Sequence, residues 1–352
     1  MIYRIPFSQY SYCRMQEQFH NLSDDNLNRF MKEWNGPSDC MLVQTSGSTG
    51  KPKTMMAEKR RMLASARCTC DFLGLKAGDT ALLCMSLNYI AGKMMVVRAL
   101  ERGLRLISVP PGGHPLAEIG DDDVIDFAAM VPMQVHNSLQ VAAERERLKH
   151  IRHLIIGGGA IDEALEKELR HFPHAVWSTY GMTETLSHIA LRRLNGPEAS
   201  DYYTPFSGVE VSLNADGCLV IDAPLVCKST LVTHDVAQFS PDGRSFRIIG
   251  RIDNVVCSGG IKVQIEEVER LLRPHIPVPF MITKRKDAKF GEAVAMLFEA
   301  APDESLLKSI CEQHLPKYWQ PRYYIPVDRL PMTGTGKPAR HEAEIMAGRL
   351  PC

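Results

Sequence analysis

Thr45-Ser46-Gly47-Ser48-Thr49-Gly50-Lys51-Pro52-Lys53 follows, one residue on, the short apolar run Met41-Leu42-Val43. Glycines and small hydroxyl residues let backbone N–H and side-chain O–H groups converge on phosphate oxygens, and the two lysines add positive charge. A Walker A loop needs Gly, four residues, then Gly-Lys-Ser/Thr. Here Gly47 lies three before Gly50, and Pro52 follows Lys51 and keeps it out of a helix interior. Taken alone, a Gly/Ser-rich stretch reads equally well as a surface loop. Two lysines around a proline, directly after a buried strand, favour a nucleotide.

Outward from this loop the pattern repeats. Thr80-Ala81-Leu82-Leu83-Cys84-Met85 reads as a buried strand, and Leu154-Ile155-Ile156 runs into Gly157-Gly158-Gly159. Strand-like and helix-like segments alternate over the first two-thirds of the chain, which predicts an α/β fold with ligand sites at the carboxyl ends of the strands. From Val209 to Phe246 turns such as Asn214-Ala215-Asp216-Gly217 and Ser240-Pro241-Asp242-Gly243 predict a β subdomain. Beyond Arg251-Ile252-Asp253 the spacing predicts a helix from Glu266 to Leu272, a strand at Phe280–Thr283 and a helix around Leu306–His314. The expected division is residues 1–252 as an N-terminal core and 253–352 as a C-terminal domain, two domains being ordinary for 352 residues. The charge-dense stretch from Glu144 to His153 reads as a solvated helix face.

Composition narrows the function. Hydrophobic residues make up 45% and charged residues 23%, so a sizeable core can form. Lys+Arg and Asp+Glu stand at 41 each, so no basic surplus points to nucleic acid or to an anionic membrane face. The start, Met1-Ile2-Tyr3-Arg4-Ile5-Pro6-Phe7-Ser8, lacks an apolar stretch of secretory-signal length, and no run approaches the about 18 apolar residues of a membrane span. The ten cysteines form no framework; the one close pair, Cys68 and Cys70, has the spacing of neither a zinc knuckle nor a redox motif. Reduced thiols in a cytoplasmic protein are the expectation.

Further stretches extend the reading. Ser178-Thr179-Tyr180-Gly181-Met182-Thr183-Glu184 places an aromatic ring, hydroxyls and a carboxylate together. Thr233-His234-Asp235, Gly250-Arg251-Ile252-Asp253, Ser258-Gly259-Gly260 and Pro331-Met332-Thr333-Gly334-Thr335-Gly336-Lys337 follow in order. Singly each has a plain alternative: a surface carboxylate, a strand-to-helix turn, a β-turn with an ion pair, a solvated lysine. Together with the Thr45–Lys53 loop they resemble the signatures of the adenylate-forming superfamily, which includes acyl- and aryl-CoA synthetases, luciferase and nonribosomal adenylation domains. The resemblance covers about residues 41 to 340.

That resemblance implies a large N-terminal domain of sheets flanked by helices plus a β subdomain, and a small mobile α+β C-terminal domain. It implies that ATP is held by Thr45, Ser46, Gly47, Ser48, Thr49, Gly50, Lys51 and Lys53, by Gly158 and Gly159, by Tyr180 and Gly181 at adenine, and by Asp235 and Arg251 at the ribose. Thr183 would reach phosphate, Glu184 would hold Mg²⁺, Lys337 would be the catalytic lysine and Asp253 the hinge. Ser258, Gly259 and Gly260 would lie near coenzyme A. Asn88, Tyr89, Lys93 and His188 are candidates for the acyl pocket, with Arg98 as a further polar group. The partners implied are ATP, CoA and a small carboxylic acid, and relatives are often homodimers.

Three departures stand out. Only 44 residues precede Thr45, which leads us to expect a shortened member lacking much of one N-terminal subdomain. His234 stands where the family has glycine, and Tyr89 stands near a position often held by histidine. Within the superfamily the chain resembles the o-succinylbenzoate–CoA ligases of bacterial menaquinone synthesis, through its short length, its expected cytoplasmic setting and Pro205-Phe206-Ser207-Gly208-Val209-Glu210-Val211 leading to Cys218-Leu219-Val220-Ile221.

Overall fold

Short apolar strands whose successive side chains point to opposite faces need cover on both sides, and the chain supplies it. In the strand Thr80–Leu83, Ala81 and Leu83 join one apolar cluster and Leu82 the other. Phe127 and Ala129 likewise divide from Ala128 and Met130, and Ile155 from Leu154 and Ile156. The computed structural model describes residues 19–20, 25–44, 54–120, 123–159, 161–299, 303–332 and 338–349. It divides into two compact units, each considered by itself. The first comprises Met1–Val211, Ile221–Leu231 and Pro241–Ser245; the second comprises Ser212–Val220, Val232–Ser240 and Phe246–Cys352. The β segment after Val209 thus groups by contact largely with the C-terminal part, whereas the sequence reading kept it in residues 1–252.

The first unit is built on a sheet of β1 (Phe19–His20), β4 (Thr80–Leu83), β5 (Arg105–Ser108), β6 (Phe127–Met130), β7 (His153–Ile156), β8 (Ala175–Gly181), β9 (His188–Arg193) and β10 (Thr204–Pro205), with β2 (Cys40–Gln44) and β3 (Thr54–Glu58) forming a separate hairpin. The large sheet runs β1-β5-β4-β6-β7-β8-β9-β10. It is parallel from β1 to β8 and turns antiparallel at β9 and β10. Helices α2 (Lys59–Leu73) and α3 (Ile90–Arg102) cover one face through Met62, Ala66, Cys70, Met94 and Val97. Helices α4 (Pro132–Gln140), α5 (Ala142–Lys149) and α6 (Glu163–Leu169) cover the other through Val135, Leu139, Leu148, Leu165 and Leu169. Helix α1 (Asp25–Trp34) adds Leu27, Phe30 and Trp34 to the first cluster.

Glycine ends the long helices. Gly74 and Gly103 adopt φ of 65° and 70° after α2 and α3, a left-handed cap that L side chains pay to adopt. One part of the charge-dense stretch departs from a solvated face: Glu144 is buried, accepting from Ser138 Oγ at 2.8 Å and facing His114 Nδ1 at 2.8 Å. The described cysteines are all free thiols, as expected, and burial pushes that of Cys84 up to about 12.

In the second unit β11 (Glu210–Leu213), β12 (Cys218–Asp222), β13 (Leu231–Phe239) and β14 (Phe246–Arg251) form a four-stranded sheet. A five-stranded sheet follows, of β15 (Val255–Ser258), β16 (Ile261–Gln264), β17 (Phe280–Asp287), β18 (Gly291–Phe298) and β19 (Tyr323–Pro326). Helices α7 (Ile265–Leu272) and α8 (Glu304–His314) pack on it through Val268, Leu272, Leu307 and Cys311. Helix α9 (Arg340–Arg349) packs through Ala343 and Ala347. Its first residue, Arg340, makes a bidentate pair with Glu269 at 2.6 and 2.7 Å and donates to the Ile282 carbonyl at 2.9 Å. Such a fork fixes direction as well as distance. No described helix is long and apolar enough to cross a membrane.

Candidate active site

In an open parallel sheet the carboxyl ends of the strands are where loops can diverge and leave room for a ligand. β7 ends in Gly157-Gly158-Gly159, where Gly158 takes φ of 78° and any side chain at Gly157 would collide with the Thr179 hydroxyl on β8. These glycines permit a turn and a close approach of two strands, which is also what a ligand-facing wall requires. β8 carries Ser178, Thr179, Tyr180 and Gly181 to the same edge. Ser178 Oγ lies 2.8 Å from the Tyr203 hydroxyl, and the Tyr180 ring sits 5.8 Å from that of Tyr203.

A register shift between Tyr180 and Gly181 swings the chain out of the sheet. A side chain on Gly181 would strike the Ser187 carbonyl and the His188 backbone, so only glycine fits. Thr183–Thr185 then form one turn of 3₁₀ helix. Thr185 is fully buried; its hydroxyl accepts from Met182 N at 3.0 Å and lies 2.6 Å from the Ser187 carbonyl. Glu184 is exposed, and its carboxylate makes no ion pair with a described residue. An unpaired carboxylate at this edge fits a Mg²⁺ that arrives on nucleotide phosphates, since Mg²⁺ is commonly held by one or two carboxylates plus phosphate oxygens. No cluster of three or more His, Cys, Asp or Glu that could chelate a metal by themselves occurs among the described residues.

The acyl-pocket candidates separate. Asn88 and Lys93 line one cavity of about 270 Å³ together with Asn26, Arg29, Glu33 and Gln44. Lys93 Nζ donates to the Leu42 carbonyl at 2.6 Å, with Glu33 at 3.9 Å. Tyr89, 44% exposed, precedes the first turn of α3 and bridges to Gln44. His188 is elsewhere, buried against α2 and α3. Its Nε2 lies 3.0 Å from Thr69 Oγ1 and its Nδ1 3.2 Å from Ser187 Oγ, which accepts from Arg98 Nη2 at 2.6 Å. Burial, and then the Arg98 charge, push the His188 imidazole well below its ordinary range. Arg98 is 2% exposed; burial pushes it down to about 10, and no carboxylate pairs with it among the described residues. Sequence reading picked out Arg98 and His188 singly. Thr69 carried no signal, being an ordinary helix residue.

In the second unit Asp235 and Arg251 stand opposite each other on β13 and β14, Arg251 Nη1 being 3.5 Å from Asp235 Oδ1. Arg251 Nη2 lies 2.6 Å from Asp253 Oδ2, and His234 Nδ1 lies 2.9 Å from the same oxygen. Partial burial would raise the Asp253 carboxyl, but His234 and Arg251 outweigh it and hold the group below its ordinary range. Ser258 and Ile261 pair across a tight hairpin turn in which Gly259 and Gly260 take φ of 57° and 87°. Two successive positive φ values are what a two-residue hairpin needs, which gives this Gly-Gly pair a backbone role of its own. The Thr45–Lys53 residues and Lys337 lie outside the described residues.

The comparisons agree with this architecture. The family model for AMP-binding enzymes matches residues 8–222. The 2-succinylbenzoate–CoA ligase of Bacillus licheniformis is 28% identical over 333 residues, covering 86% of this chain and 69% of that protein. The same-named ligase of Lactococcus lactis is 24% identical, covering 86% and 70%. Among solved structures, an acyl-CoA synthetase (AMP-forming)/AMP-acid ligase II-like protein from Dyadobacter fermentans is similar with a TM-score of 0.65 and 32% identity, over 94% of this chain and 96% of that one. The o-succinylbenzoate CoA synthetase of Bacillus subtilis, in complex with its acyl-adenylate intermediate, is similar in fold with a TM-score of 0.73 and 23% identity, over 88% and 70%. With the family model spanning residues 8–222, more than half of its length, the chain belongs to the AMP-binding enzyme family.

Proposed function

We propose that the chain is an ATP-dependent acid–CoA ligase that acts on o-succinylbenzoate, a step of menaquinone biosynthesis. In the first half-reaction the substrate carboxylate attacks the α-phosphorus of ATP, an acyl-adenylate forms and pyrophosphate leaves. In the second the CoA thiol attacks the acyl carbon, the thioester forms and AMP leaves. Tyr180 and Gly181 hold the adenine with Gly158 and Gly159, Thr183 reaches the phosphate, and Asp235 and Arg251 hold the ribose. The Thr45–Lys53 loop and Lys337 spread the charge that grows on the phosphates. Little covalent chemistry is asked of the protein, so positioning and electrostatics dominate. Glu184 is the residue that would hold Mg²⁺, which when bound offsets phosphate charge. Asp253 serves as the hinge that withdraws Lys337 after adenylation, and Ser258-Gly259-Gly260 then lies by CoA. A cytoplasmic location and a homodimer complete the proposal.

The observation that supports a diacid is Arg98. A guanidinium stays charged even when buried, and taking it out of water costs several kcal/mol unless an anion compensates. Ser187 and the Met95 sulfur are its hydrogen-bond partners, and its Nε has none. A second substrate carboxylate would complete that fork. The deciding experiment supplies ATP, Mg²⁺, CoA and a panel of acids led by o-succinylbenzoate, with products read by mass spectrometry. Selective thioester formation from o-succinylbenzoate is expected. A thioester from another aryl or medium-chain acid would keep the mechanism and discard the substrate. No adenylate or thioester from any acid would leave a nucleotide-binding homologue that has lost catalysis.

A further inference from the structure

We infer that Ser187, directly, and Thr69, through His188, are positioning residues that aim Arg98 at the second carboxylate of the acid. The inference rests on the proposed role of Arg98 and adds the device that holds it. Four side chains from three segments form a chain of contacts: Arg98 Nη2 to Ser187 Oγ at 2.6 Å, Ser187 Oγ to His188 Nδ1 at 3.2 Å, His188 Nε2 to Thr69 Oγ1 at 3.0 Å, and Thr69 Oγ1 to the Ser65 carbonyl at 3.3 Å. Arg98 can only donate and the Ser65 carbonyl can only accept. One arrangement of protons makes all four contacts hydrogen bonds at once. Ser187 accepts from Arg98 and donates to Nδ1; His188 carries its proton on Nε2 and donates to Thr69; Thr69 donates to the carbonyl. Burial beside Arg98 keeps the imidazole neutral, and for a neutral ring this is the one tautomer that keeps all four contacts.

The backbone around Ser187 is built to the same end. Leu186, buried, takes φ of 65°, a conformation that costs a non-glycine residue free energy and persists only where its surroundings hold it. The Thr185 hydroxyl bonds the Ser187 carbonyl on one side, and Gly181 leaves room for that carbonyl on the other. A turn this constrained places the Ser187 hydroxyl under Arg98. Without Thr69 the imidazole loses its anchor and its direction, and the Ser187 hydroxyl, to which Arg98 donates, loses the fixed acceptor that orients it.

The test compares the parent with Thr69→Val, Ser187→Ala and Thr69→Ser on o-succinylbenzoate and on 4-oxo-4-phenylbutanoate, which lacks the ring carboxylate, with ATP and CoA saturating and folding checked by circular dichroism. The parent should show the lower KM for the diacid. Thr69→Val and Ser187→Ala should each raise that KM by about tenfold, the size of one lost charge-assisted hydrogen bond, while kcat and the monoacid KM stay within about twofold. Thr69→Ser should restore the parent value. A parent that treats the two acids alike, or uses neither, would overturn the role of Arg98 itself. A parent that discriminates, with diacid KM unchanged in both variants, would overturn the positioning chain alone. So would an equal loss on both acids, since that is what a merely structural role gives.

Discussion

His234 Nδ1 lies 2.9 Å from the Oδ2 of Asp253, the residue assigned as the hinge, and Arg251 Nη2 reaches the same oxygen at 2.6 Å. The resemblance puts glycine at position 234, so this chain adds a contact to its hinge. The pair is exposed on both sides, and exposed pairs contribute at most about 1 kcal/mol. His234→Gly should therefore speed thioester formation by no more than about fivefold, most at low salt, and leave adenylation unchanged. Rapid-quench measurement of the two half-reactions checks this; a slower second half would show that His234 assists turning instead of restraining it.

The two half-reactions should also separate Lys337 from Asp253. Lys337→Ala should slow adenylate formation by roughly two to three orders of magnitude, as other charge-stabilising groups do, and spare thioester formation from preformed adenylate. Asp253→Pro fixes φ at the hinge and should do the reverse. Equal loss in both halves for either variant would reject its assigned role.

How much of this was legible in sequence follows from where each partner lies along the chain. Gly157-Gly158-Gly159 and Ser178 to Glu184 are contiguous stretches in which residue type and order carry the chemistry, and both end strands of the expected α/β sheet. His188 and Thr69 are 119 residues apart, and only the packing of β9 on α2 brings them within 3.0 Å. No periodicity could forecast that, because a buried threonine in a helix has the same pattern as any small core residue. Asn88 and Lys93 line the same cavity, whereas His188 lies against Thr69 and Ser187 on the side of α3 that carries Arg98, because residues five apart on a helix, such as Lys93 and Arg98, point to different sides. Glu144 misled for the opposite reason. Its charged neighbours are solvated, while Ser138 and His114 compensate its own burial.

Two glycine substitutions should move stability in opposite directions. A Cβ on Gly92 would lie 2.8 Å from the Met85 carbonyl and closer still to that of Ser86, so Gly92→Ala must push the Met85–Ser86 segment away from α3. A loss of about 1–3 kcal/mol is expected, as for other overpacked sites. Gly348, in α9, has nothing within 4 Å of the same position, and Gly348→Ala should gain about 0.5 kcal/mol from helix propensity. Urea midpoints at unchanged slope measure both. A stable Gly92→Ala protein would mean that this segment yields without resistance.

Acid should weaken the fold earlier than its carboxylates alone would require. Burial, and then Arg152 and Arg193, push the His153 imidazole down to about 4, and His188 is lowered by burial and Arg98. Each is neutral in the folded protein where the unfolded chain, with a histidine near about 6.5, already binds a proton. Above that pH the two states bind equally and neither residue affects stability. Below it the unfolded state takes up the extra proton, so stability falls as pH falls, with a slope approaching about 1.4 kcal/mol per pH unit for each residue. The share due to His153 levels off once the pH drops below about 4, where the folded form is protonated as well. His153 Nδ1 has no hydrogen-bond partner, so His153→Phe removes the titration without breaking a bond there. Urea midpoints at pH 7.5, 6 and 5 should show a shallower decline in His153→Phe than in the parent; parallel declines would assign the acid sensitivity to other groups.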